Sequence, residues 1–358
     1  MKKPKILVTG ATGKTGSATA LQLLEKGYPV RAFVHRLDSR SERLQKAGAE
    51  ITTGSLEDIV DVRNSLAGVQ RAYFCPPLEP GTLRRAALFA AAAQEARLEV
   101  VVVLSQWVTD PAHPAAHSRE KWLSNRVFEW IPGVGLITVN PGFFAENYMA
   151  ALEPIVHFGL MGLPLGQGLN APPSNEDIAR VIVGAITNPA PHIGMSYRPT
   201  GPRLLAPEEM AAIFGKVLQR KVKYQSVPLK LFMKVARSLP LSDFVIEELY
   251  WFFQDYQRNS FGVGAPTDAV LRIGGAMPED FEQIVRRYVA ADPVAKRTMG
   301  NKLRAIANLA RALASPAPDP KRIAHRLALP AIAHATLAAE SAEWHASHDP
   351  GRQGHCQG

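Results

Sequence analysis

Cysteine is nearly missing from this sequence, with two among 358 residues, Cys75 and Cys356. They are too few and too far apart for a disulfide framework or a zinc site. Long apolar runs are missing too. Nothing approaches the roughly 20 residues of a membrane span, and the apolar run after Met1-Lys2-Lys3-Pro4 is too short for the core of an export signal. A reducing, cytoplasmic setting is expected. Acidic excess is the third absence: 41 Lys and Arg stand against 32 Asp and Glu, a net charge of +9. Such a surplus suits nucleic acid or anionic lipid, but here it is dispersed. Lys230, Lys234 and Arg237 recur beside Leu231, Phe232 and Val235 at helical spacing, which reads as a solvated basic face over a core face. The expected partner is therefore a small-molecule substrate, with no nucleic acid and no membrane, for a monomer or homodimer. Of the late histidines His325, His334, His345, His348 and His355, only His345 and His348 have a ligand-like spacing, so no metal is expected.

What the chain does have begins almost at once. Lys5-Ile6-Leu7-Val8-Thr9 is a short apolar strand, Gly10-Ala11-Thr12-Gly13-Lys14-Thr15-Gly16 a glycine turn, and residues 17–26 a helical stretch with Ala20, Leu23 and Leu24 on one side. Strand, glycine turn and helix make a dinucleotide cradle. The first glycine permits the tight turn, the second lets a pyrophosphate approach the backbone, and the third lets helix and strand pack closely. Free N–H groups at the helix start then face the phosphates.

Segments 30–34, 41–46, 51–53, 56–66, 72–74, 83–96 and 100–104 continue in strand–helix alternation. Right-handed crossovers turn that order into an α/β doubly wound parallel sheet of Rossmann type. Ser55-Leu56-Glu57-Asp58 reads as a capping box for the third helix, which Gly68 ends, and Val100-Val101-Val102-Val103-Leu104 as a strand buried on both faces. After Val139, Pro and Gly break the chain into short pieces, helices follow at 175–187, 207–218 and 278–290, and segment 244–256 is rich in aromatics. Three divisions result: residues 1–142 as the nucleotide core, 143–292 as a smaller, mostly helical substrate-side region, and 293–358 as a tail. The Ala-, Pro- and His-rich tail, entered through Ser315-Pro316-Ala317-Pro318-Asp319-Pro320, is expected to be partly helical or poorly ordered. Its deletion after Ala314 should then leave dinucleotide affinity unchanged.

The motif order resembles the NmrA-like family of atypical short-chain dehydrogenases/reductases. The likeness is carried by the glycine turn, Val30-Arg31-Ala32-Phe33-Val34-His35-Arg36, Gly54-Ser55-Leu56-Glu57-Asp58, Leu104-Ser105 and Asn140-Pro141-Gly142-Phe143-Phe144-Ala145-Glu146-Asn147. It ends in segment 274–289 with Pro278-Glu279-Asp280-Phe281-Glu282. Relatives include quinone, dye and aromatic-ether reductases as well as catalytically silent redox sensors. The resemblance implies that Gly10, Thr12, Gly13, Lys14, Thr15, Gly16, Cys75, Pro76, Lys121, Pro141 and Phe143 meet the dinucleotide. Ser55 departs from an aspartate near the adenine, Asn140 from an arginine, and Cys75-Pro76-Pro77 closes the fourth strand. Cys75 reads either as a redox thiol or as a small apolar residue.

An NAD-type site usually ends its second strand in Asp or Glu, whereas a 2′-phosphate needs positive charge there. His35 and Arg36 occupy that end, with Arg40 and Arg43 following, so NADP(H) is expected over NAD(H), the alternative being a solvated edge. The chemistry of the resembled family uses a serine and a tyrosine with a lysine four residues on. Ser105 fits the serine. The tyrosine is absent, and His117 and Lys121 take its spacing, so His117 reads either as a replacement acid or as an ordinary surface histidine. Trp107, Phe144 and Tyr148 are the expected walls of an apolar substrate pocket. The expected function is an NADPH-dependent reductase of a quinone, carbonyl or conjugated aromatic compound, the alternative a silent NADP(H)-binding redox sensor.

Overall fold

Each strand of a parallel sheet must be covered on both faces, so its apolar residues divide by alternation between two cores. In the computed structural model, which describes residues 3–348, seven strands do this: β1 (Ile6–Thr9), β2 (Val30–Val34), β3 (Glu50–Thr53), β4 (Arg71–Phe74), β5 (Val100–Leu104), β6 (Gly135–Val139) and, after a separate β7 (Leu160–Leu163), β8 (Ser196–Tyr197). All pair in parallel in the order β3-β2-β1-β4-β5-β6-β8, and β7 pairs with β9 (Lys223–Ser226) in a small second sheet. The chain is an α/β protein of the Rossmann type with an added helical region. Ile6, Val8, Val100 and Val102 enter the layer closed by helices Lys14–Glu25 and Asn175–Thr187. Leu7, Val101 and Val103 enter the opposite layer with Phe74, Phe89 and Phe128.

The strand order reverses between β1 and β4, which diverge at their C-terminal ends. That crevice is where open α/β sheets place ligands. A third core lies beyond β6, where Phe143, Tyr148, Phe214, Phe253, Tyr256 and Phe261 pack together.

One local expectation changes. The third helix runs Ile59–Leu66 and is capped by Asp58, whose carboxylate accepts from Val60 N at 2.8 Å, not by Ser55. Ser55 lies in a preceding turn, its amide held by Asp61 at 2.9 Å and its hydroxyl accepting from Glu57 N at 3.1 Å. An aspartate one step from the helix wins the cap because its anion also favours the positive helix end.

The tail takes the partly helical of its two expected forms and is also docked. Through His348 it packs onto the molecule, with helices Met299–Ala314, Pro320–Arg326 and Ala342–His348; His355 and Cys356 lie outside the described residues. Trp344 is 2% exposed, its indole N–H donates to the Trp107 carbonyl at 2.9 Å, and its ring stacks on His348 with centroids 3.9 Å apart. Ser341 Oγ donates to Asp110 at 2.5 Å and Thr336 N to Ala112 O at 2.8 Å. A lone tryptophan among alanines was the available signal. Truncation after Ala314 would strip the cover from Trp107. Trp344→Ala should cost about 3–5 kcal/mol of stability, measured by urea unfolding; an unchanged midpoint would return the tail to a dispensable role.

Candidate functional site

The glycine turn is built by exclusion. Gly10 has φ +59°, and a Cβ there would sit 2.5 Å from the Cys75 carbonyl oxygen; one on Gly16 would sit 2.2 Å from Gly10 O. Both close approaches need glycine. Gly13 N donates to Gly10 O at 2.9 Å and caps helix Lys14–Glu25, leaving Gly13 and Lys14 exposed and Thr12 half-buried. The helix start therefore offers unpaired N–H groups to solvent, the arrangement that binds a pyrophosphate. Thr15 differs: its hydroxyl donates to Asn175 Oδ1 at 3.0 Å and is buried, joining two helices. Only its backbone is free for a phosphate. Thr9 Oγ accepts from Cys75 N at 2.8 Å and so fixes the ends of β1 and β4 beside each other.

At the end of β2, His35 and Arg36 are exposed, and among the described residues neither is in an ion pair. Arg40 is held by Asp38, whose carboxyl it draws down to about 2, and Arg43 donates to Ser17 Oγ at 2.9 Å on the first helix. Arg36 is thus the uncommitted guanidinium at this edge.

The remaining groups gather at the ends of β4 and β5. Lys121, buried on helix Ala116–Trp130, donates from Nζ to the Leu104 carbonyl at 2.8 Å, and burial draws its ammonium down to about 8. Cys75 lies close enough for the two charges to interact, and burial pushes its thiol up. Burial thus favours its protonated form, as for a small apolar strand end. Ser105 Oγ accepts from Asn125 Nδ2 at 3.0 Å, which leaves the serine proton free to donate elsewhere. His117 does share a helix face with Lys121, but it is 4% exposed, lies edge-on to Phe244 at 5.7 Å, and meets Thr82 Oγ1 at 3.3 Å. Burial, with Lys121 and Arg85 adding positive charge, holds the imidazole well below its usual range. It is neither a surface histidine nor, near pH 7, an imidazolium.

Of the expected pocket walls, Trp107 and Tyr148 are enclosed. Trp107 donates to Ser260 O at 2.9 Å beneath Trp344 and His348, and Tyr148 bonds Tyr256 Oη at 2.7 Å. Neither offers surface to a substrate, because each fills a core position whose polar end is satisfied. Phe144 remains half-buried and Pro76, Pro141 and Phe143 buried. Sequence reading missed Thr9, Thr82, Asn125 and Asn175. Thr9 directly before the glycine turn was the one with a signal. It also missed Glu248, 3% exposed, which burial and Glu247 push well above the carboxylate range.

Comparison with known proteins agrees with the Rossmann-type fold. An NAD(P)H azoreductase of Xenophilus azovorans is 28% identical over 291 residues, covering 80% of this chain and 98% of that protein. Quinone oxidoreductase 2 of Escherichia coli (strain K12) is 24% identical over 66% of this chain and 83% of its own length. Among solved structures, an NADPH-dependent quinone oxidoreductase from Escherichia coli in complex with NADPH superposes with TM-score 0.69 at 20% identity, covering 79% of this chain and 99% of that one. NmrA, a negative transcriptional regulator in complex with NADP, superposes with TM-score 0.70 at 18% identity over 84% of this chain and 99% of its own. The model of the NmrA-like family matches residues 2–264, the span that carries the glycine turn, the crevice and Lys121, and the chain belongs to that family.

Proposed function

We propose that this protein is an NAD(P)H-dependent reductase that prefers NADPH and reduces a flat conjugated acceptor, of quinone, carbonyl or azo type. The observation that carries the reading is Lys121: a buried ammonium bonded to the end of β5, beside Cys75, which itself closes over the side-chain-free turn at Gly10. A buried cation at the mouth of a dinucleotide cradle is costly without an anion or hydroxyls to serve. The named azoreductase and quinone oxidoreductase relatives support the same class of reaction. The cradle fits a dinucleotide because Gly10 and Gly16 admit no Cβ and the helix N–H groups beyond them are unfilled.

When bound, the reduced nicotinamide supplies hydride. Lys121 would hold ribose hydroxyls as an ammonium, and Ser105, one lone pair of which accepts from Asn125, would donate a hydrogen bond to the acceptor atom, which takes its proton from solvent water. His117 stays neutral and packs the helix that carries Lys121. The fold also accommodates a regulator that binds dinucleotide without turnover, since the tyrosine position holds this enclosed, uncharged imidazole. NADPH oxidation followed against a panel of quinones, aldehydes, enones and azo dyes decides between them. Tight binding with no oxidation across the panel would make it a regulator.

Two expectations follow for the cofactor and the proton. Arg36→Ala should weaken NADPH by about ten- to hundredfold, the value of a charge-assisted phosphate contact, with little effect on NADH. Equal losses in fluorescence titrations with both nucleotides would remove the 2′-phosphate assignment.

Lys121 must be charged to act, and its pKa is lowered to about 8. The value of kcat/KM for NADPH should therefore be level below that pH and fall above it. Lys121→Ala should lower kcat/KM roughly 10²-fold or more and abolish that limb. His117→Gln should keep it. A profile that instead breaks near the ordinary imidazole pKa of about 6.5, and loses the break in His117→Gln, would reinstate the histidine as acid.

A further inference from the structure

Helix Met299–Ala314 lies beyond the stretch matched by the family, and its outer face is unlike the rest of the surface. Met299, Leu303, Ile306, Leu309 and Leu313 are 71%, 59%, 47%, 41% and 47% exposed. Their spacing of four, three, three and four residues puts them in one arc of about 120°. Scattered exposed leucines are ordinary, but a continuous row of five large side chains along one helix marks a contact surface. The inner side is already used: Ala305 and Ala312 are buried, Asn308 Nδ2 donates to Glu153, and Lys234 Nζ on helix Leu229–Ser238 donates to the Leu313 carbonyl at 2.9 Å.

A second feature meets the row at its N-terminal end. A cavity of about 470 Å³ is lined by Arg220, Lys221, Arg297 and Lys302, with Thr298 and Met299 at the helix start. Arg220 bonds the Val156 carbonyl, and among the described residues none of these four cations is in an ion pair. No acidic residue occurs between Pro293 and Pro318, which carry five Lys or Arg. Net charge that reads as dispersed along the sequence is thus gathered by the fold beside an apolar row.

We propose that this face is a peripheral docking surface for an anionic phospholipid bilayer. The apolar row enters the boundary between headgroups and acyl chains, and the cationic cavity takes the phosphate of an anionic headgroup. Charge selects this occupant over a second copy of the chain, because a two-fold contact would set a cation-rich surface, whose helix carries no acid of its own, against itself. Nucleic acid would leave the apolar row without a partner. No helix among the described residues is long and apolar enough to cross a membrane, so the attachment is to one leaflet, contrary to the partner expectation drawn from dispersed charge.

Co-sedimentation of the full chain with vesicles tests this. Binding should be strong on phosphatidylcholine containing about one-third phosphatidylglycerol, weak on phosphatidylcholine alone, and reduced by salt. Leu303→Asp with Ile306→Asp should abolish it. Arg297→Glu with Lys302→Glu should weaken it by at least about fivefold per cation replaced. All four positions are on the surface, so unfolding midpoints and NADPH affinity should stay unchanged, which keeps this test separate from the reductase assignment. Equal sedimentation with both vesicle types, or variants that bind like the parent, would overturn the proposal. Absence of vesicle binding, with a dimer that Leu303→Asp and Ile306→Asp dissociate, would assign the face to a second copy.

Discussion

Everything at the site depends on how closely two strand ends approach. The Gly10 turn lies against the Cys75 carbonyl with no space for a Cβ, and Thr9 Oγ holds the Cys75 amide. Because β1 and β4 are neighbours whose onward connections run in opposite directions, this is the one place in the sheet where two loops diverge and leave a crevice. The first helix starts on one side of it and Lys121 arrives from the other. A side chain at Gly10 or Gly16 would push these elements apart, and the helix N-terminus and the buried ammonium would no longer flank one crevice.

Burial then decides what each ionisable group can do. Lys121, Cys75 and His117 lie within one electrostatic neighbourhood, and each is moved toward its neutral form by loss of water. The lysine retains enough affinity for its proton to be charged near neutrality, while the imidazole does not. Spacing alone had put His117 and Lys121 on one helix face, since positions four apart share it. The difference between them is depth, which a one-dimensional pattern does not encode.

The parts legible in sequence were those governed by local period and by glycine. Val30–Val34, Val100–Leu104, Asn175–Thr187 and Pro207–Leu218 have the bounds their patterns implied, because each is a regular element with a clear cap or a continuous apolar run. Aromatic residues were harder to place. Trp107 and Tyr148 were expected at a pocket wall from their distance to motifs, yet each is closed over by chain more than a hundred residues away. A ring looks the same in sequence whether its far side meets ligand or protein. Asn125, Thr82 and Asn175 were invisible for a related reason: each serves one partner from a different element, and only the folded layers bring them together.

The Trp344 anchor has a further consequence for how the molecule is assembled. Its bond to Trp107 joins residues 237 positions apart, and loop closure over such a separation comes after local contacts have formed. In a chain synthesised from its N-terminus, the Rossmann layers are complete long before Trp344 leaves the ribosome. The segment behind β5 therefore waits, uncovered, until the stretch around Trp344 docks. A change that delays docking of Trp344 would act on this closing step while leaving the nucleotide cradle to form on its own schedule.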